Sequence, residues 1–244
     1  ATTTQLPSIA APIAPVAVTA TANGMMVVAV ASNRLIVYRT SDHQKAAEIP
    51  LSSPAHCVRV SPDSRYAFLC HESPAELSSV DLLSQSPTAI GRGVKDVPTE
   101  IAFDRDGKHG WVLVQGIDRQ VDTAAACAQN PPNSTLVRVS YGEPTDATGA
   151  HFVPLFGVGL PHPASDVAVH PGTGKLLVSF PCKGEVAQLD PTAAQVAQVS
   201  TVVSIPHPHD ISVTDDHIIV ISKDASPTSS SMMEALRPLG VVQV

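Results

Sequence analysis

The chain has 244 residues, of which 43% are hydrophobic, so it can bury a sizeable core and wholesale disorder is excluded. Its formal net charge of −7 argues against a nucleic-acid-binding surface and against docking on anionic lipid. No apolar stretch approaches the roughly 18 residues that a membrane-spanning helix requires. We therefore expect no nucleic-acid partner and no direct membrane insertion.

The beginning of the chain lacks the basic region that precedes the apolar part of a signal peptide. We therefore expect either that a leader has been removed or that the sequence is a piece of a longer protein. The four cysteines are too few for a disulfide-built scaffold, but they leave room for one or two disulfides.

One pattern recurs five times: a short alternating apolar run, a polar turn rich in Pro, Asp and Gly, and a second apolar run. The first runs end at spacings of 42, 43, 66 and 44 residues, namely at Val18, Val60, Phe103, Val169 and Val213. Three of these spacings match the roughly 40 to 50 residues of a four-stranded propeller blade. The sequence therefore predicts an all-β fold, a β-propeller of four-stranded blades, with about five blades visible.

We predict a single domain over residues 1–244. Its approximate blades are 8–51, 52–93, 94–158, 159–204 and 205–244. The long third repeat contains a polar, turn-rich insertion at 116–133, which predicts a loop. In the last repeat, "TSSSMMEALRPLGVVQV" must supply the third and fourth strands, and "SSMMEALRPLG" within it could hold a turn of helix.

Three stretches resemble the blades of NHL, YVTN and related lactonase-like β-propellers: "PAHCVRVSPDSRYAFL", "PASDVAVHPGTGKLLVSF" and "PHDISVTDDHIIVIS". The resemblance implies six or seven blades more often than five. Two interpretations stay open: a complete five-bladed ring, or an incomplete propeller whose missing blades lie elsewhere or come from a partner. An open set of blades would expose sheet faces of the kind that mark an interface.

In such a blade, the first strand lines the central channel and its start lies at the channel mouth. Two histidines and three carboxylates are predicted there: His56, Glu100, Asp166, His209 and Asp210. They are suitable ligands for Ca or Zn, and the resemblance implies such an ion in lactonase-like propellers. The alternative is a hydrated rim in which polar side chains bond the backbone. We favour the rim and expect no cofactor.

Local catalytic motifs are missing from the sequence. It has no G-x-S-x-G, no S-x-x-K with its companion motifs and no glycine-rich phosphate loop, so we expect no catalytic residues. The acidic "DRDG" at 104–107 is typical of a hairpin turn, because no further ligands follow at the spacing of a calcium loop.

The cysteines fall into two pairs. Cys57 and Cys70 lie nearly opposite each other on one hairpin, where they could bond or pack as small apolar residues. Cys127 and Cys182 follow the second strands of neighbouring blades, so we predict a disulfide between them in an oxidising compartment. Asn133 opens an "NST" glycosylation sequence on the insertion.

These observations favour a non-catalytic interaction or scaffold module, a subunit or domain of a larger assembly with protein partners. The alternative is a metal-assisted, lactonase-like hydrolase that binds a small molecule at the channel mouth. The sequon favours a secreted, extracellular or periplasmic protein.

Overall fold

The computed structural model describes residues 14–84, 87–94, 96–117, 123–190, 199–214 and 217–222. These residues form four sheets of four antiparallel strands and a fifth sheet of two strands. The predicted all-β propeller fold is confirmed. No helix within the described ranges is long and apolar enough to cross a membrane.

The first three sheets are each built from strands that are consecutive in the chain. Sheet one contains β1 (Ala17–Ala20), β2 (Met26–Ala31), β3 (Arg34–Arg39) and β4 (Lys45–Pro50). Sheet two contains β5 (Ala55–Val60), β6 (Tyr66–His71), β7 (Glu76–Asp81) and β8 (Ile90–Gly93). Sheet three contains β9 (Pro98–Phe103), β10 (His109–Val114), β11 (Thr135–Tyr141) and β12 (Phe152–Gly159).

The last two sheets follow the same meander. Sheet four contains β13 (Asp166–Val169), β14 (Leu176–Phe180), β15 (Glu185–Leu189) and β16 (Val199–Ser204). Sheet five contains β17 (Pro208–Val213) and β18 (Ile218–Ser222). The third and fourth strands that we predicted for this repeat fall in residues 223–244, outside the described residues.

The first hairpin of each repeat closes through its polar turn. In "SPDSR" the Ser61 amide donates to the Tyr66 carbonyl at 2.8 Å, and the Ser64 amide donates to the Ser61 carbonyl at 2.8 Å. In "DRDG" the chain turns at Gly107 with a φ of 64°, a conformation that glycine adopts without steric penalty. Short-range turn chemistry therefore sets the register of the two apolar runs.

The insertion of sheet three differs from the prediction at one point. It contains the short helix α1 (Thr123–Ala128) where we expected only loop. The sequence "TAAACA" is rich in alanine, the residue with the highest helix propensity, and this local preference outweighed the polar composition of the insertion as a whole. Residues 118–122 of the insertion lie outside the described residues.

Consecutive sheets pack face to face through apolar clusters. We call the face of a sheet that meets the following sheet its front face, and the opposite face its back face. On the front faces Val30, Phe68, Trp111 and Leu177 are at most 1% exposed, and each belongs to a cluster shared with the next sheet. The first strands β1, β5, β9, β13 and β17 lie side by side along this series.

Among the described residues, the two ends of the series share no apolar cluster. Within the described ranges, no hydrophobic cluster joins sheet one to sheet five. Ile219 and Ile221 on the front face of sheet five are 37% and 53% exposed, and Val16 and Val18 at the start of sheet one are 50% and 52% exposed. The described part of the chain is therefore a consecutive series of five sheets with two ends.

Candidate functional site

The channel mouth is formed by the residues that begin the first strand of each sheet. His56 stands one residue before Cys57, and its Nε2–H donates to the Pro98 carbonyl of sheet three at 2.9 Å. The carbonyl can only accept, so this bond fixes the proton on Nε2. His56 therefore ties sheet two to sheet three at the rim.

Glu100 is fully buried at the start of β9. One of its carboxylate oxygens accepts from Arg59 Nε at 2.8 Å and from the Ile101 amide at 3.0 Å. Arg59 belongs to sheet two and is 33% exposed at its side chain, so its cation compensates a buried anion across the interface. Sequence reasoning missed Arg59. The sequence feature that could have identified it is an arginine in a row of otherwise small or apolar residues that face the next sheet.

Ser165 and Asp166 connect sheet four to sheet five in the same way. Ser165 Oγ lies 2.9 Å from the His209 carbonyl, which can accept its proton. The Asp166 carboxylate accepts from the Val167 amide at 2.8 Å and from the Ile211 amide at 2.6 Å. Asp166 is only 2% exposed, so these backbone donors replace the water it loses.

His209 occupies in sheet five the position that His56 occupies in sheet two. It is 4% exposed, and its Nδ1 lies 3.7 Å from an oxygen of Asp210. Its Nε2 is buried and has no hydrogen-bond partner among the described residues. The preceding His207 has a positive φ of 46° and a buried Nδ1 that likewise finds no partner within the described ranges.

Three of the five predicted metal ligands are engaged in other bonds. Glu100 neutralises an arginine, Asp166 accepts from two backbone amides, and His56 directs its proton at a carbonyl. Among the described residues, the group of side chains close enough to share an ion does not include the five rim residues. The rim metal site therefore stays a prediction, and we derive no chemistry through it.

That close group lies at the opposite end of the sheets, in the "DRDG" turn, and comprises Asp104, Asp106 and His109. Asp104 accepts from Trp111 Nε1 at 2.9 Å and pairs with Arg138 at 3.2 Å. Asp106 accepts from the His109 amide at 3.0 Å, and its other oxygen contacts the His109 ring. These bonds stabilise the turn, as the sequence predicted.

A cleft of about 300 Å³ opens beside His56 at the channel mouth. It lies between sheets one and two and is lined by Val16, Pro54, Ala55, His56, Glu72 and Ser73. An imidazole, a carboxylate and a serine beside apolar residues are groups that could bind a small polar molecule.

A buried histidine, His71, ends β6 near this cleft. Its Nε2 accepts from Ser78 Oγ at 2.7 Å, and its Nδ1–H is directed at the Ser53 carbonyl at 3.1 Å and the Pro54 carbonyl at 3.2 Å. Burial lowers the pKa of His71 below its ordinary value of 6.5. His71 is therefore held neutral as part of the sheet two core.

All four cysteines are paired. Cys127 and Cys182 form the predicted disulfide, which joins the insertion of sheet three to the loop after β14. Cys57 and Cys70 also form a disulfide, between directly opposite residues of β5 and β6. Asn133, at the end of the insertion, is exposed, and its glycosylation stays a prediction.

No family model and no curated protein sequence matches this chain. Among solved structures it is similar to a Bacteroides uniformis protein provisionally described as a 6-phosphogluconolactonase, at 16% identity and a TM-score of 0.58, over 86% of this chain and 64% of that one. It is also similar to hydrazine synthase of Kuenenia stuttgartiensis, at 12% identity and a TM-score of 0.50, over 87% and 84% of the two chains. Both likenesses show the propeller fold alone. The chain spans less than two thirds of the Bacteroides protein.

Proposed function

We propose that this chain is a non-catalytic propeller module that holds protein partners in a larger assembly. The observation that carries the proposal is that polar residues of the rim bond neighbouring sheets. His56, Glu100 and Asp166, which would be the polar groups of a channel-mouth active site, each bond an adjacent sheet. Atoms engaged in this way stabilise the series of sheets and are not themselves available to a substrate.

The exposed apolar ends of the series support the same function. Ile221 and Val18 are more than half exposed on sheet faces, and such faces are characteristic of contact surfaces. The two disulfides support a secreted or periplasmic setting, because disulfides persist in oxidising compartments.

The test combines elemental analysis with a search for stable partners. The purified chain is expected to contain no stoichiometric divalent ion, and the chain isolated from its natural source is expected to elute with other proteins at a mass above its own. A stoichiometric ion that is lost in His209→Ala, together with elution as a single chain, would overturn the proposal.

A second candidate function is favoured by the cleft at His56. A lactonase-like hydrolase would place a small lactone against His56 and Glu72. Hydrolysis of 6-phosphogluconolactone by the wild-type chain, abolished in Glu72→Gln and retained in Glu76→Gln, would establish it. Glu76 is the matched control because it lies outside the cleft lining. Equal rates in all three chains would exclude this function.

A further inference from the structure

The two disulfides of the chain lie in contrasting surroundings. Cys57 and Cys70 are 5% and 0% exposed and belong to the apolar cluster between sheets two and three. Cys182 is exposed, and its partner Cys127 is partly exposed. A reductant dissolved in water can therefore reach the second disulfide in the folded chain, whereas the first becomes accessible only when its sheet opens.

The turn that carries Cys182 favours attack on this disulfide. It connects β14 to β15, and the amides of Lys183 and Gly184 both donate to the Phe180 carbonyl at 3.0 Å. Gly184 adopts a φ of 70°, a conformation that glycine takes without steric penalty, so the turn is well defined. Lys183 is exposed next to Cys182, and its ammonium group attracts the thiolate anion that attacks a disulfide.

Helix α1 carries Cys127 and is weakly attached to the rest of the described fold. The amides of Gln129 and Asn130 donate back to the carbonyls of Ala126 and Cys127, so these bonds stabilise the end of the helix itself. None of the apolar clusters that the described residues form includes a residue of α1. A helix of six residues is too short to be stable by itself in water. The disulfide therefore contributes much of what holds α1 in place.

The base of the insertion is closed by bonds that do not depend on the disulfide. Ser134 Oγ donates to the Gln115 carbonyl at 2.9 Å and accepts from the Ala164 amide at 2.8 Å. The Ile117 amide donates to the Ala164 carbonyl at 2.7 Å. Opening the disulfide therefore releases α1 while the strands on either side of the insertion keep their register.

We propose that Cys127–Cys182 is a thiol-exchange site, at which a dithiol reductant detaches α1 from sheet four while the propeller fold is retained. One thiolate of the dithiol attacks Sγ of Cys182, the disulfide breaks, and Cys127 leaves as a thiolate. The second thiolate of the reductant attacks the mixed disulfide, forms a cyclic disulfide within the reductant and releases Cys182. In total, two electrons and two protons pass from the dithiol to the two cysteines. This site goes beyond the proposed function and does not require a partner protein.

The test uses the purified, fully oxidised chain and dithiothreitol in native buffer. Samples taken over time are quenched with excess N-ethylmaleimide, which blocks free thiols, and the remaining disulfides are then reduced in denaturant and labelled with the deuterated reagent. Peptide mass spectrometry is expected to show that Cys127–Cys182 is reduced about a hundredfold faster than Cys57–Cys70. The buried disulfide is the matched control within the same molecule. The selectively reduced chain is expected to keep its β-sheet circular dichroism signal.

A second measurement tests the detachment of α1. After selective reduction, the amides of α1 should exchange with solvent about tenfold faster than in the oxidised chain, whereas those of β14 and β15 should be unchanged. The double variant Cys127→Ser with Cys182→Ser is the control. Its α1 amides should exchange as in the reduced chain, with and without dithiothreitol.

Three outcomes would overturn the proposal. Equal rates of reduction for the two disulfides would show that exposure does not distinguish them. Reduction of Cys127–Cys182 only together with loss of the circular dichroism signal would show that the fold is not retained. Unchanged exchange in α1 after reduction would show that the disulfide does not hold the helix. The proposed function as a partner-binding module is tested separately, by elemental analysis and co-elution, so it stands or fails independently.

Discussion

Sheets four and five present the same kind of front face to different surroundings. On sheet four, Leu177 is covered by Ile211 and Val220, and the rim groups of the sheet bond backbone atoms of sheet five. On sheet five, Ile219 is partly exposed, and His209 Nε2 has no partner within the described ranges. The difference teaches that the same sheet position can carry a large apolar side chain on a covered face and on a partly exposed one.

The comparison also separates two uses of polar rim residues. In the covered interfaces the carboxylates and histidines of the rim connect one sheet to the next, so their presence at a channel mouth does not itself indicate catalysis. On sheet five, His209 Nε2 makes no such connection among the described residues. Four experiments can test this contrast, in order of decreasing expected effect.

The largest effect is expected from removing the Cys127–Cys182 disulfide, which joins sheet three to sheet four. The double variant Cys127→Ser with Cys182→Ser opens a cross-link that spans 55 residues, which should lower the free energy of unfolding by about 4 kcal/mol. Urea denaturation measures the loss. A change below about 1 kcal/mol would show that the unfolded chain gains little conformational entropy when the disulfide is removed.

The next effect compares the two equivalent apolar positions. Leu177→Ala should lower the free energy of unfolding by about 3 kcal/mol, because it creates a cavity in a closed interface. Ile219→Ala should change it by about 0.5 kcal/mol or less, as expected of a partly exposed side chain. Equal losses in urea denaturation would mean that the front face of sheet five is covered in the isolated chain, and the comparison would break.

Substitutions of the two equivalent histidines should have smaller effects on the free energy of unfolding, and these two effects should differ in sign. His56→Phe breaks the bond to the Pro98 carbonyl and should lower the free energy of unfolding by about 1 kcal/mol. His209→Phe removes a buried nitrogen that has no partner among the described residues, and it should leave stability unchanged or raise it slightly. Thermal melting of both variants gives the sign. A marked loss in the His209 variant would indicate a partner for Nε2 inside the chain.

The smallest expected effect is a pH dependence of the free energy of unfolding that originates at His71. Because burial lowers its pKa in the folded protein, the unfolded chain binds the proton first as the pH falls. The stabilisation is therefore complete above about pH 6.5 and is lost as the pH falls through the lowered value. His71→Gln should flatten this part of the profile in urea denaturation between pH 7.5 and 5.5. An unchanged profile would assign the dependence to other histidines.

Local sequence signals predicted the strands well, because alternation and turn chemistry act within about ten residues. The Cys127–Cys182 disulfide was also predictable, since the two loops occupy equivalent places in neighbouring repeats. The bonding partner of each rim group was not predictable from the sequence. The partner of Glu100 is Arg59, more than 40 residues away, and that pairing depends on how two sheets align. Helix α1 was missed because six residues give too short a window for helical periodicity.

The end position of sheet five has a consequence for the order in which the molecule opens. Each inner sheet is held by two apolar interfaces, so its backbone amides exchange with solvent only when both are broken. Among the described residues, sheet five has an interface on one side, through the β13–β17 contact. The amides of β17 and β18 should therefore exchange through a local opening of lower free energy than those of β14. A partner that covers this face would close that route and slow hydrogen exchange there first.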